Sequence, residues 1–180
     1  MRVVSGKYRS RVLSTFKGND IRPTSDFAKE SLFNILGNVN QKTFLDLFAG
    51  TGSMGIECIS RGGISVFTDN NKESVNLIKK NLQSLNETAQ VSLVDGVKYL
   101  LSTPNKFDII FIDPPYKSDL GEKALNAISQ NKVLNENGIA IFESDKEGTE
   151  IENLETKSKS FKFEEIIVAI SINPTLKFVF

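Results

Sequence analysis

The chain reads as an α/β protein built on a mostly parallel sheet that finishes antiparallel at its C-terminus. Three observations carry this. Residues 44–48, Phe44-Leu45-Asp46-Leu47-Phe48, form an apolar run too short for a helix, followed at once by Gly50 and Gly52 and then by helical spacing. Short apolar runs at 64–68, 91–94, 107–112 and 139–142 continue along the chain, interspersed with helix-like segments, the order a parallel sheet requires. Two β-prone runs, 163–172 and 176–180, are separated only by Asn173-Pro174-Thr175, a connection too short for a parallel crossover.

From the N-terminus, residues 2–5 and 11–14 are β-prone and read as a hairpin presenting Lys7, Arg9 and Arg11 beside Tyr8. Residues 1–22 hold six basic residues against Asp20 alone. Such an arm suits phosphate, and an interleaved aromatic suits RNA bases; a solvated basic face is the plainer reading. The expected division is a basic extension over 1–24 and one larger domain over 25–180. After Arg22-Pro23, Thr24 or Ser25 caps a helix whose apolar stripe is Phe27, Leu32, Ile35 and Leu36, ending at Gly37.

The run 44–48 reads as a strand buried on both faces. Gly50 and Gly52 let the chain turn with no Cβ in the way, and Gly55 completes a G-x-G-x-x-G pattern. A dinucleotide site has no use for Asp46, a carboxylate inside the strand; a ligand carrying an amino acid does. Asp46 could also simply cap the glycine turn. The next strand ends at Asp69-Asn70-Asn71, and Asn70 or Asn71 caps a helix with stripe Val75, Ile78 and Leu82. Asp95-Gly96 closes the third strand and Asp113-Pro114-Pro115-Tyr116 the fourth; a helix over 119–130 and a strand at 139–142 follow, with a short helix or loop over 146–159. Acids thus stand at the C-terminal ends of successive strands, the edge where ligands bind an open parallel sheet.

With 180 residues, 39% hydrophobic and 24% charged, the chain has the length and composition of one globular domain. No apolar run approaches a membrane span and no signal-peptide pattern is seen, so a cytoplasmic location is expected. The single cysteine, Cys58, excludes an internal disulfide, and the absence of histidine excludes a Cys/His metal site and a His-based triad.

These features resemble the class I S-adenosylmethionine-dependent methyltransferases, a Rossmann-like seven-stranded fold with helices on both faces and an antiparallel last strand. The resemblance implies that Asp46, Phe48, Ala49, Gly50 and Gly52 hold the methionine part of S-adenosylmethionine. Asp69 would take the ribose hydroxyls, Asp95 the adenine amine, and the backbone of Asn70 and Gly96 would flank the adenine. Asp113-Pro114-Pro115-Tyr116 is similar to the signature of enzymes that methylate an exocyclic base amine. In that reading Asp113 and the Pro114 carbonyl accept the amine N–H bonds, Pro115 stiffens the loop and Tyr116 stacks on the base. Asp-Pro-Pro-Tyr also occurs in DNA adenine-N6 and cytosine-N4 methyltransferases, whose separate recognition region 180 residues leave no room for. A non-catalytic assembly factor and an NAD oxidoreductase complete the alternatives.

Arg22-Pro23-Thr24-Ser25-Asp26-Phe27-Ala28-Lys29-Glu30-Ser31-Leu32-Phe33-Asn34-Ile35-Leu36, with Ser5-Gly6-Lys7-Tyr8-Arg9 before it, resembles the N-terminal signature of the bacterial small-subunit ribosomal RNA guanine-N2 methyltransferases. That resemblance implies 16S ribosomal RNA, in the assembled or assembling 30S particle, as substrate. It also implies that Lys7, Tyr8, Arg9, Arg11 and Arg22 contact RNA; a metal-free protein is expected from the missing histidines, and a monomer by default. Ser10 departs from the pattern, which has glycine there.

Overall fold

The computed structural model describes residues 1–16, 26–115 and 118–144, together with the strands Ser160–Phe163 and Ile166–Ile172. Arg22, Tyr116, the expected boundary near residue 24, the segment 146–159 and the run 176–180 lie outside the described residues. The chain forms two compact units, Met1–Val94 and Asp95–Phe180.

The first unit contains α1 (Asp26–Leu36), β1 (Thr43–Asp46), α2 (Ser53–Ser60), β2 (Ile64–Asp69), α3 (Lys72–Ser84) and β3 (Gln90–Leu93). Its strands pair parallel, β1 with β2 and β2 with β3, with Asp46 opposite Phe67 and Asp69 opposite Leu93. Phe44 and Leu45 are fully buried, as a strand covered on both faces requires. The strand stops at Asp46, and Leu47 and Phe48 already turn toward the glycines. Gly55 lets α2 lie close on β2, since a Cβ there would stand 2.2 Å from the Phe67 ring. The stripe of α3 is as the spacing predicts: Val75, Ile78 and Leu82 are buried, and Asn71 is the cap, its side chain accepting the Glu73 N–H at 2.7 Å.

The stripe expected on α1 needs correction. Leu32 is buried as expected, but Phe27 and Ile35 are exposed, and the helix buries Lys29 and Phe33 in their place. Lys29 reaches inward because its ammonium finds acceptors there: Nζ donates to the Arg2 carbonyl at 2.5 Å and lies 3.6 Å from Asp26. A buried ammonium needs such partners.

The N-terminal residues are part of this unit's core. Arg2 and Val12 form an antiparallel bridge, and Val3 and Leu13 pack with Ile56, Phe67 and Ile78. Buried Glu57 on α2 fastens the turn by accepting the Val4 and Ser5 N–H groups at 2.7 and 2.9 Å.

The second unit contains α4 (Gly96–Ser102), β4 (Phe107–Ile112), α5 (Leu120–Asn131), β5 (Leu134–Ser144), β6 (Ser160–Phe163) and β7 (Ile166–Ile172). β4 and β5 are parallel, β7 is antiparallel to β5, and β6 is antiparallel to β7. The expected closing pair of 163–172 with 176–180 involves a run outside the described residues; within them β7 lies antiparallel between β5 and β6. Helix α4 was not apparent from the apolar spacing, being only seven residues long. Asn131 ties it to α5, its Nδ2 donating to the carbonyls of Leu100 and Thr103. Among the described residues no helix is long and apolar enough to cross a membrane.

Candidate functional site

In the first unit the glycine loop joins β1 to α2. Gly50 and Gly52 have φ of 51° and 77°, in the left-handed region, and a Cβ on Gly50 would meet only open space. The loop is braced from below: the Ala49 N–H donates to the Thr68 carbonyl at 3.0 Å, and Thr68 Oγ1 donates to the Leu47 carbonyl at 2.6 Å. Ala49 is buried and Phe48 half-buried.

Asp46 is buried at 2% exposure, and its Oδ2 accepts the Gly55 N–H at 2.9 Å. It thus satisfies a donor of the first turn of α2, the plainer of the two roles its position allowed. Asp69 accepts the Gly50 N–H on Oδ2 and the Asn71 N–H on Oδ1, both at 2.8 Å. Asn70 is exposed at the bend that follows.

Asn81 on α3 was missed. It is almost fully buried, its Oδ1 accepts the Ser14 N–H, and its Nδ2 donates to the carbonyls of Ser14 and Thr51. One side chain therefore links the N-terminal segment to the glycine loop. An asparagine beside a helical apolar stripe gives no signal of that in sequence.

In the second unit Asp95 caps α4, its Oδ1 accepting the Lys98 N–H at 2.9 Å, and Gly96 is buried at the start of that helix. Asp113 leaves the end of β4, with Pro114 half-buried and Pro115 exposed. Burial pushes the Asp113 carboxyl up to about 6. Glu143, unremarked in the sequence, is pushed up to about 8 by burial and by the charge of Asp113.

The basic residues of the N-terminal turn are partly occupied. Tyr8 Oη donates to Glu87 at 2.5 Å, Lys7 Nζ to the same carboxylate at 3.2 Å, and Arg11 Nη2 to the Ser84 carbonyl at 3.2 Å. Lys7 also stands over the Tyr8 ring at 4.8 Å. Arg9 is exposed. Cys58 is buried, which pushes its thiol up to about 12 and leaves it an unreactive core group. Among the described residues no group of three or more Cys, Asp or Glu side chains could hold a metal ion.

A family model described as conserved hypothetical protein 95 matches residues 1–167. The chain belongs to this family. Ribosomal RNA small subunit methyltransferase D of Haemophilus influenzae is 36% identical over 154 residues, covering 82% of this chain and 80% of the relative. A solved Escherichia coli structure is 26% identical with a TM-score of 0.82, covering 96% of this chain and 97% of that one. The Thermus thermophilus 16S rRNA N2 G1207 methyltransferase, solved with AdoMet and guanosine, shares the fold. Its TM-score is 0.69 at 20% identity, covering 93% of this chain and 46% of that chain.

Proposed function

We propose that this protein transfers a methyl group from S-adenosylmethionine to the exocyclic N2 amine of a guanine in small-subunit (16S) ribosomal RNA. The observation that carries the reading is Asp113-Pro114-Pro115 at the C-terminal end of β4, with an Asp113 carboxyl raised to about 6 yet ionised at neutral pH. A nucleobase amine is a weak nucleophile because its lone pair is delocalised into the ring. Asp113 and the Pro114 carbonyl each accept one of its N–H bonds, which returns electron density to nitrogen and aims it. Pro115 has no N–H and a fixed φ, so the carbonyl before it is held. Tyr116 is assigned from the resemblance as the face on which the base stacks.

The chain's residues fit the cofactor. The Gly50 turn opens onto free space, and Asp69 and Asp95 bring acceptor oxygens to the ends of their strands. In the first unit Asp46, Phe48, Ala49, Gly50 and Gly52 are assigned to the methionine part, Asp69 to the ribose and Asn70 to the adenine. In the second, Asp95 and Gly96 are assigned to the adenine. When bound, the cofactor supplies an electrophilic methyl on a sulfonium. With it in place, transfer would form the N2–carbon bond as the sulfur–carbon bond breaks, the neutral thioether would leave, and the methylated amine, now acidic, would release its proton to water. Neither histidine nor a metal is required.

Lys7, Tyr8, Arg9, Arg11 and Arg22 are assigned to RNA. The formal net charge of zero gives little bulk attraction to phosphate. Recognition on the assembling or assembled 30S particle, by a cytoplasmic monomer, fits that balance. The test supplies methyl-labelled S-adenosylmethionine and small subunits from a strain lacking this gene, then resolves the digested nucleosides. Label in N2-methylguanosine is expected, with none from already methylated subunits. Label on duplex DNA as N6-methyladenine, and none on RNA, would overturn the reading.

A further inference from the structure

Glu143 stands on β5 beside the end of β4. β4 and β5 run parallel with Ile112 opposite Phe142, so the next residue on each chain is a carboxylic acid, Asp113 on one and Glu143 on the other. Adjacent strands lie about 4.8 Å apart, which places the two acids side by side at the strand ends. The residues just before them are buried, Ile112 at 0% and Phe142 at 8% exposure. Two carboxylates held that close in an apolar setting do not both ionise.

We propose that Asp113 and Glu143 work as a pair sharing a single proton, in which Glu143 is the positioning residue. Its carboxylic O–H donates to the Asp113 carboxylate and fixes the oxygen that receives the guanine amine. This rests on the reading of Asp113 as the base-binding group. The two acids are electrostatically linked: charge on Asp113 helps Glu143 keep its proton, so the pair gives up its protons in two steps.

Among the described residues the neighbouring elements leave the pair largely to itself. β7, which sets Val168 opposite Glu143, is Ile166–Ile172 and has no ionisable residue. The charges at the start of α5 are exposed, and there Asp119 holds Lys123 at 2.6 Å while Glu122 faces solvent. Asp108 sits at the far end of β4 against Asn135, and Glu136 is exposed near the start of β5.

Glu143→Gln keeps the shape and an N–H donor but removes the titration. In cofactor-free protein labelled at its carboxyl carbons, NMR should show a glutamate titrating near pH 8 that vanishes in Glu143→Gln, and an aspartate near pH 6 that remains in both. Methyl transfer by the unsubstituted protein should fall as pH rises through about 8, while the Gln variant holds its rate there and keeps the acid fall near 6. Glu143→Ala, its folding checked by circular dichroism, should lose about tenfold in kcat at neutral pH through misplacement of Asp113. No glutamate titrating above pH 7, or the same alkaline limb in both proteins, would overturn the pair. An observed pair in a protein that puts no methyl on guanine would sink the proposed function and leave the pair standing.

Discussion

Asp69, at the C-terminal end of β2, accepts the Gly50 N–H at 2.8 Å and so fastens the loop that leaves β1. Its second oxygen fastens the Asn71 N–H at the start of α3. The carboxylate assigned to the cofactor's ribose is therefore already part of the glycine loop's frame. Asp69→Ala should cost more than two ribose contacts, because a loop at positive φ loses its tether as well. Calorimetry should find S-adenosylmethionine affinity reduced about 100-fold or more, of the order expected for losing charge-assisted bonds. Affinity within three-fold of the parent would remove Asp69 from the cofactor site.

Asp113 makes the opposite prediction. It is assigned to the base, so Asp113→Ala should abolish transfer and leave S-adenosylmethionine affinity within a few-fold. The contrast between the two substitutions, read by the same calorimetry plus a labelled-methyl assay, separates cofactor binding from chemistry. Collapse of cofactor affinity in Asp113→Ala would reassign the Asp-Pro-Pro loop.

Ser10 has φ of 69°, a left-handed conformation that costs a residue with a Cβ about 1 kcal/mol. The resemblance places glycine at this position, and the backbone gives the reason. Ser10→Gly should stabilise the protein by about 0.5–1 kcal/mol, part of the relief being offset by the greater freedom of an unfolded glycine. Urea unfolding measures it. Gly6→Ala should do the reverse, since a Cβ there would lie 1.9 Å from the Ser60 carbonyl oxygen. A Ser10→Gly midpoint at or below the parent's would show that the turn is not strained.

Much of this was legible because it rests on local rules. The run 107–112 is a strand in both sequence and structure, and Val75, Ile78 and Leu82 face inward as their spacing dictates. The glycine loop announced itself through Gly50 and Gly52. What spacing concealed depends on partners distant in the chain. Phe27 and Ile35 carry the right period yet stay exposed, and α1 buries Lys29 along with Leu32 and Phe33, because the Arg2 carbonyl waits for its ammonium. Glu57 carries no mark of its role in the sequence, and it anchors Val4 and Ser5 from α2. Glu143 gains meaning only through a strand register that sets it next to Asp113, and register is not written in periodicity.

The basic turn should make its contribution through Arg9 and Arg11 more than through Lys7. Lys7 and Tyr8 already engage Glu87, and among the described residues Arg11 gives up a 3.2 Å bond to the Ser84 carbonyl. Neutralising Arg9 and Arg11 together should weaken substrate binding and reduce the slope of log affinity against log salt by about one to two. Lys7→Ala should change that slope less. An unchanged slope in the double arginine variant would take the N-terminal turn out of the RNA footprint.

The acids at the ends of β4 and β5 also set how stability responds to pH. A carboxyl whose folded pKa exceeds its unfolded value holds its proton more tightly in the folded state. Its stabilising contribution is complete below the unfolded value, near 4, and is lost as pH rises through the folded one. For Asp113 that loss runs up through about 6, and for Glu143 through about 8. The upper part of the loss belongs to Glu143 alone, so Glu143→Gln should gain on the parent protein progressively from about pH 5 and level off above about pH 9. Comparing the two proteins pH by pH cancels the other titrating groups, which are common to both. Urea midpoints that run parallel across this range would mean that the Glu143 carboxyl is as well solvated in the folded chain as in the unfolded one, and that ionising it beside Asp113 costs nothing.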